Sequence, residues 1–532
     1  MARTSRREGD EVMNPRKRSS GGPTLSRRRF LAASAATAAA FALPGCASRP
    51  ALRGAMVVPR EPGTPQPILL TNLRLLDVEA GTCGKVAGVL LREGRVAEVF
   101  RDALPPGIDA PVEDLHGEVL APGLIDAHVH CTMPHIYQMG AALMNIVDAT
   151  ERGLAAFVEN GVTTVRDMAG AARLLSRRSA LVARGEIVGP RVVRSDAFVQ
   201  TPHGYPRAMR PMPWPLSTVL GEMMVWARTP AEGRQAVTRL RADGAQVVKL
   251  ALDSQPITLN KEPIPVLSDP ILEAIRQEAS RQGMPVAAHH THLAAGHLAG
   301  LHRVDTIEHL PLDGVYPDAD LRLFEEAKLA CVPTLSVGVN LAFDAPDPVS
   351  DPLVRQAVDG KVEFFRRYAD RFLIPEARKS TAGLLARYLR GRFTKHDRKQ
   401  FTLIDGHLFI RAIQEGHTRE NLDRLRQAGA RIGCGTDAGT PFSYAGNIAL
   451  ELRLLVEIGG FTPAEAVRAA TIDNARILGL DARLGSVAPG KIADLVVLAD
   501  DPLADVQAFR KVRAVYQAGA RTVTRGPESW IG

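Results

Sequence analysis

The chain has 532 residues, 45% hydrophobic and 23% charged, with a formal net charge of +8 and five cysteines. Five cysteines in a chain this long make no disulfide framework. The basic balance would point to nucleic acid or an anionic surface, but residues 1–45 hold nine Lys or Arg against three Asp or Glu, which leaves +2 for the rest and removes nucleic acid from the expected partners.

The first segment, SRRRFLAASAATAAAFALPGC, sets Arg27, Arg28 and Phe30 before a thirteen-residue apolar stretch from Leu31 to Leu43. That stretch is too short to cross a bilayer as a mature helix. It resembles a twin-arginine export signal, and LPGC resembles a bacterial lipobox. Residues 1–45 are therefore predicted to be a signal peptide, and Cys46 the lipidated first residue of the mature protein. Cleavage at a nearby small-residue site, leaving a soluble periplasmic protein, is the alternative. Residues 46–65, rich in Pro and Arg, read as a tether that stands the folded part off the membrane. The expected partners of this segment are the twin-arginine machinery and, through the lipid, a membrane. The expected address is the bacterial cell envelope, facing the periplasm or the outside.

After the tether, PILLTNLRLLDVEAG and VAGVLLREGRVAEVF read as hairpin strands, with GSVAPGKIADLVVLADDP and VRAVYQAGARTV as their counterparts near the other end. Between them, GEVLAPGLIDAHVH, GAQVVKL, MPVAAHH, RVDTIEHL and ARIGCGTD are each apolar and then abruptly polar, as buried parallel strands are. His128, His130, Lys249, His289, His309 and Asp437 close these runs. Alternation along a strand turns His128 and His130 to one face and Val129 to the other, so the pair can aim at one ion. Polar groups at the carboxyl ends of several strands mark a (β/α)8 TIM barrel, an α/β fold with its site on that face. The barrel is predicted over 120–478. Asp437, followed by small residues, could also cap a helix.

The loop after the third strand, TPHGYPRAMR, brings His203, Tyr205 and Arg207 onto the same face as candidate substrate contacts. His290 should face away from His289, while His292, beyond the strand end, is a further candidate contact. Cys131 follows His130 directly, but Cys83, Cys131, Cys331 and Cys434 are expected as buried free thiols. From about 340 to 424 the chain adds a helical, charge-dense insert, which reads as a lid, a source of substrate contacts, a dimer interface or a membrane-facing surface. A homo-oligomer is one of these expectations.

APGLIDAHVH, GVTTVRDMAG, the spacing from His289 to IEH at His309, GTDAG, AVRAATIDNARILGL and GSVAPGKIADLVVL together resemble the metal-dependent amidohydrolase superfamily, in its imidazolonepropionase-like and Xaa-Pro dipeptidase (prolidase)-like branch. The resemblance runs over roughly residues 66–525. It implies that segments 66–119 and 479–532 meet as a small β-sandwich beside the barrel. It implies that His128 and His130 bind a more buried ion, that His289 and His309 bind a more exposed one, and that Asp437 touches the buried ion and handles the proton. An ordinary lysine has no lone pair for a metal at neutral pH, so the resemblance further implies that Lys249 is carboxylated and bridges two divalent ions, zinc being expected. The implied activity is hydrolysis of an amide bond in a small molecule, a dipeptide or N-acyl amino acid, by water activated between the ions. A cyclic amide, an ester or an organophosphate are the alternatives within enzymes, and a binding protein on the same scaffold is the alternative outside them.

Overall fold

A computed structural model describes residues 56–57, 65–133, 145–206, 214, 216–255, 262–341, 406–440 and 443–525, with isolated positions between 352 and 390. The predicted signal peptide, Cys46, nearly all of the tether, Arg207 and most of the 340–424 insert lie outside the described residues. No helix among the described residues is long and apolar enough to cross a membrane.

Strands from both ends of the chain join in one mixed sheet of nine. The first end contributes β1 (Met56–Val57), β2 (Ile68–Asp77), β3 (Thr82–Arg92), β4 (Arg95–Phe100), β5 (Val112–Asp114) and β6 (Val119–Pro122). The other end contributes Leu495–Leu498, Val512–Gln517 and Ala520–Thr524. The two ends meet where β6 pairs antiparallel with Leu495–Leu498, Leu120 lying opposite Val497. Leu70, Leu73, Leu120, Leu495, Val497 and Tyr516 are buried together on this sheet.

The central strands are parallel. β7 (Leu124–Val129), β8 (Val162–Asp167) and β9 (Arg191–Arg194) form a three-stranded sheet. β10 (Phe198–Gln200), β11 (Met224–Trp226), β12 (Val248–Ala251), β13 (Val286–His289), β14 (Thr306–Glu308), β15 (Ala330–Val332) and β16 (Arg431–Ile432) form a seven-stranded one, in the order β11-β10-β12-β13-β14-β15-β16. Every residue of β7, β8, β12 and β13 is buried, so these strands lack the inward–outward alternation of a strand with one face in water. The intervening helices carry their own start signals. Thr229 caps Pro230–Ala242 by accepting from Glu232 N at 3.2 Å, with Pro230 in the first turn, a cap worth about 1 kcal/mol. That helix buries Ala236, Val237 and Leu240 and ends on Arg239 and Arg241, which suit the negative end of its dipole.

Where the sequence predicts one closed barrel, regular pairing is thus divided between two sheets. The backbone leaves the ladder at two places: Asp196, between β9 and β10, has φ 65°, and Asp437, beyond β16, has φ 52°. Individual hydrogen bonds still tie β7 to the stretch after β16. Ala127 N donates to Cys434 O at 2.9 Å, Asp437 N to His128 O at 2.8 Å and His130 N to Ala438 O at 2.6 Å.

Two side chains fasten this seam. Asn474 Nδ2 donates to Ile125 O at 2.6 Å and to Cys434 O at 2.7 Å, while its Oδ1 accepts from Cys434 N at 3.1 Å. The buried Asp126 carboxylate accepts from the Thr436 hydroxyl at 2.6 Å and from Thr436 N at 3.0 Å. Close approach needs glycine here, because a Cβ at Gly435 would lie 2.8 Å from His128 Cβ and 2.6 Å from Val332 Cγ1. Cys131, Cys331 and Cys434 are buried free thiols, and Cys83 is a half-buried one.

Candidate metal centre

His128 and His130 leave β7 on its carboxyl side, Lys249 lies within β12, His289 ends β13, and His309 follows β14 directly. Asp437 is carried to them by the fastened seam. His128, His130, Lys249, His289, His309 and Asp437 are all buried, Lys249 completely.

The imidazole nitrogens divide into two groups. On one side the contacts are short hydrogen bonds: His128 Nδ1 to Glu308 Oε2 at 2.7 Å, His130 Nδ1 to Ala169 O at 2.8 Å and His309 Nδ1 to Thr334 Oγ1 at 2.6 Å. On the other side, His130 Nε2 and His128 Nε2 lie 3.1 and 3.5 Å from Asp437 Oδ1. That oxygen nevertheless has no hydrogen-bond partner, so proximity without donor alignment describes it better than an ion pair. Two donors held at about 2.0–2.1 Å by one tetrahedral zinc lie roughly 3.3 Å apart. The three ligand atoms of His128, His130 and Asp437 all fall within 4.8 Å of one another, the one such group of three among the described residues. These residues therefore fit a divalent cation.

The adjoining wall holds the other candidates. The His289 and His309 rings meet edge to face with centroids 4.6 Å apart, and those of His128 and His309 are 5.0 Å apart. His289 Nε2 has no hydrogen-bond partner, and neither has Lys249 Nζ.

Electrostatics suits cation binding. Burial first, and nearby cationic groups after it, hold His128 and His309 well below the usual imidazole range, so both are neutral with a lone pair free for a metal. Burial also pulls the Lys249 ammonium down to about 8, against the attraction of the Glu308 carboxylate. Asp437 is pushed upward by burial, but the His130 contact and the neighbouring imidazoles outweigh this and leave it below its ordinary value. The backbone is strained at the same points: φ is 76° at His309, 52° at Asp437, 49° at Thr334 and 146° at Ala169. Such conformations cost about 1–3 kcal/mol each and persist only where the surroundings enforce them.

Other predicted contacts divide. Tyr205 lies flat on His289, with centroids 4.0 Å apart and planes 15° apart. It packs against the buried group Ala169, Phe198 and Ala251 and against the buried pair Leu312 and Ala412, on which Leu408 and Phe409 also pack. Leu408, Phe409 and Ala412 belong to helix Gly406–Gln414, the return from the insert. His203, by contrast, is exposed at φ 64°, and its ring is 6.1 Å from that of Trp226. His292 is buried, with Nδ1 3.2 Å from Asp253 Oδ1. His290 turns away from the centre and bonds the Tyr316 hydroxyl.

Glu308, Arg166, Thr334 and Asp253 stand around the centre without having been singled out from the sequence. Glu308 Oε1 accepts from Arg166 Nη2 at 2.7 Å and from Thr306 Oγ1 at 2.8 Å, while Arg166 Nε donates to Ala127 O at 2.6 Å. Asp253 carried a usable signal, since alternation along KLALD puts Lys249, Ala251 and Asp253 on one face.

Known proteins share this framework. The Amidohydrolase family profile matches residues 119–521. Ochratoxinase of Aspergillus niger is 28% identical over 421 residues, covering 75% of this chain and 73% of its own. The crystal structure of a Bifidobacterium longum protein provisionally assigned as a prolidase has a TM-score of 0.62 and 25% identity, covering 86% of this chain and 95% of its own. An imidazolonepropionase of Deinococcus deserti is 40% identical over 101 residues, 18% of this chain and 25% of its own.

Glu308→Gln is expected to leave the buried Arg166 guanidinium without its charge partner, costing about 3–5 kcal/mol in denaturant unfolding of the metal-free protein. It should also release His128 Nδ1 and weaken metal binding about 10–100-fold in chelator competition. Unchanged values in both measurements would remove Glu308 from its positioning role.

Proposed function

The chain belongs to the amidohydrolase family and is a hydrolase of carbon–nitrogen bonds; on that premise we propose an exported two-metal enzyme that hydrolyses the amide bond of a dipeptide or N-acyl amino acid. The observation that carries the two-ion reading is the fully buried, partnerless Lys249 amine amid buried histidines and carboxylates. An ammonium with no hydrogen bond is costly in such a place. A neutral amine there adds carbon dioxide: its lone pair forms the N–C bond, one proton leaves, and a carbamate replaces a cation with an anionic two-oxygen ligand. In this reading His128, His130 and Asp437 hold one ion, His289 and His309 hold the other, and carboxylated Lys249 joins them, zinc being the expected metal.

Bound divalent ions supply Lewis acidity, drawing the pKa of water towards neutrality and polarising the scissile carbonyl. The protein supplies the proton path. Asp437 Oδ1 carries no hydrogen bond, and its lowered pKa keeps it ionised at neutral pH. It accepts a proton from the attacking water and passes it to the departing amine, which leaves poorly as an anion. The products are a carboxylate and an amine. Tyr205, flat against His289, forms a wall of the substrate site, and the two parallel sheets are read as arcs of one (β/α)8 barrel, with segments 66–119 and 479–532 as the small β-domain.

The relatives named ochratoxinase and prolidase support an amide substrate. A screen over dipeptides and N-acyl amino acids, with Asp437→Asn as the blank, tests the reading. Wild type should turn over members of the set, and the variant should be about 10²–10⁴-fold slower. Activity undiminished in Asp437→Asn would sink its proton role, while no amide turnover by metal-loaded wild type would favour an ester or phosphate substrate. Elemental analysis checks the lysine: Lys249→Ala should fall from two ions per chain towards one, and retention of two would end the bridging role.

The address is part of the same proposal. Arg27, Arg28 and Phe30 supply the export signal and Cys46 the lipid anchor. Cys46→Ser should move the active protein from the membrane fraction to the soluble envelope fraction, and its remaining in the membrane pellet would overturn lipidation at that position.

A further inference from the structure

Glu451 lies on helix Ile448–Glu457 and is completely buried, in none of the motifs that mark the centre. Its carboxylate holds two successive backbone amides: Oε1 accepts from Leu335 N at 2.8 Å and Oε2 from Ser336 N at 2.7 Å. These amides open the buried helix Leu335–Leu341, and the residue ahead of them is Thr334, whose hydroxyl meets His309 Nδ1 at 2.6 Å. Thr334 sits at φ 49°, a left-handed conformation that a β-branched residue adopts only under constraint. The chain turns there, and Val337 N donates back to Thr334 O at 3.1 Å. By taking the two amides on separate oxygens, Glu451 fixes the peptide planes on either side of Leu335, and with them the direction from which Thr334 presents its hydroxyl. The Ser336 hydroxyl donates to Thr436 O at 3.2 Å, a second tether that holds the same turn to the seam.

Resting on the reading above in which His309 holds an ion, the geometry points to Glu451 as a positioning residue for that histidine, acting through the strained Thr334 turn. It supplies the constraint that a left-handed Thr334 needs, since such strain persists only where the surroundings enforce it. With either amide released, Thr334 relaxes towards an ordinary backbone conformation and its hydroxyl swings off Nδ1. The His309 ring then loses the contact that orients it. Glutamine cannot take over this task, because its side-chain nitrogen only donates and would face one of the two N–H groups.

Glu451→Gln and Thr334→Val form a double-mutant cycle on zinc affinity, read in the full-length protein by metal stoichiometry and chelator competition, with thermal unfolding of the metal-free protein alongside. Thr334→Val keeps the branched shape without the hydroxyl and is expected to weaken one ion about 10–100-fold, the effect of losing an outer contact. Glu451→Gln should weaken the same ion about 10-fold or more and lower the metal-free melting temperature, because a buried N–H loses its acceptor. In the double variant the two losses should not multiply, and zinc affinity should stay within about threefold of Thr334→Val alone. A purely structural Glu451 would lower the melting temperature in the same way without this coupling. Unchanged zinc affinity in Glu451→Gln, or losses that multiply in the double variant, overturn the positioning role. If wild type holds one ion, the two-ion reading falls, and the cycle is read on that ion by the same limits; an ion that Thr334→Val does not weaken overturns the inference as well. Should Glu451→Gln not fold, Glu451→Asp, which keeps the charge but draws the carboxylate back by one methylene, takes its place in the cycle.

Discussion

An imidazole has two nitrogens, and this fold commits one of them. With Nδ1 of His128, His130 and His309 tied to Glu308, the Ala169 carbonyl and Thr334, the rings cannot turn away, and their other nitrogens are left facing inward. A ligand oriented in this way loses little conformational entropy when it meets an ion, and the Glu308 carboxylate and Ala169 carbonyl, which only accept, also set the tautomers of His128 and His130. The rest of the centre depends on this commitment. Glu308 serves His128 with one oxygen while Arg166 donates to the other, and Thr334 serves His309 from a left-handed backbone conformation.

The second requirement is that remote parts of the chain meet. His128 and Asp437 are brought side by side by Asn474 and Asp126, which bind across the same seam from opposite directions. Neither residue needs to touch substrate or metal for this. The strain at Asp437 is the local counterpart of that fastening: the chain leaves regular pairing there so that a side chain enters the centre instead of continuing a strand.

Much of the centre was legible in the sequence because alternation is a local rule. Two residues apart on one strand, His128 and His130 must share a face, and the apolar runs ahead of Lys249, His289 and His309 announce buried strands that end in polar groups. What stayed hidden depends on contacts between strands. Glu308 precedes His309 and reads as a separator, yet its carboxylate reaches β7 and β8 at once. The TPHGYP loop illustrates the converse. Its residue types favour a binding loop, but a left-handed φ at His203 turns that side chain outward while Tyr205, two residues on, lies against His289. Residue type alone cannot decide between them. The single barrel expected from polar groups at strand ends is likewise divided in its regular pairing, since the chain leaves the ladder at individual dihedral angles, those of Asp196 and Asp437, and not where strand propensity fails.

The helix Gly406–Gln414 gives the long insert a meaning that its sequence does not carry. Because helix Gly406–Gln414 shares one apolar cluster with Tyr205, whose ring lies on His289, the end of the insert re-enters the fold beside the histidines and not as an appendage to it. Changing the end of the insert, at helix Gly406–Gln414, would therefore alter the packing behind Tyr205 while leaving the buried histidines, Lys249 and Asp437 unaltered in sequence. Chemistry and selectivity can then diverge separately, by segment replacement instead of point substitution.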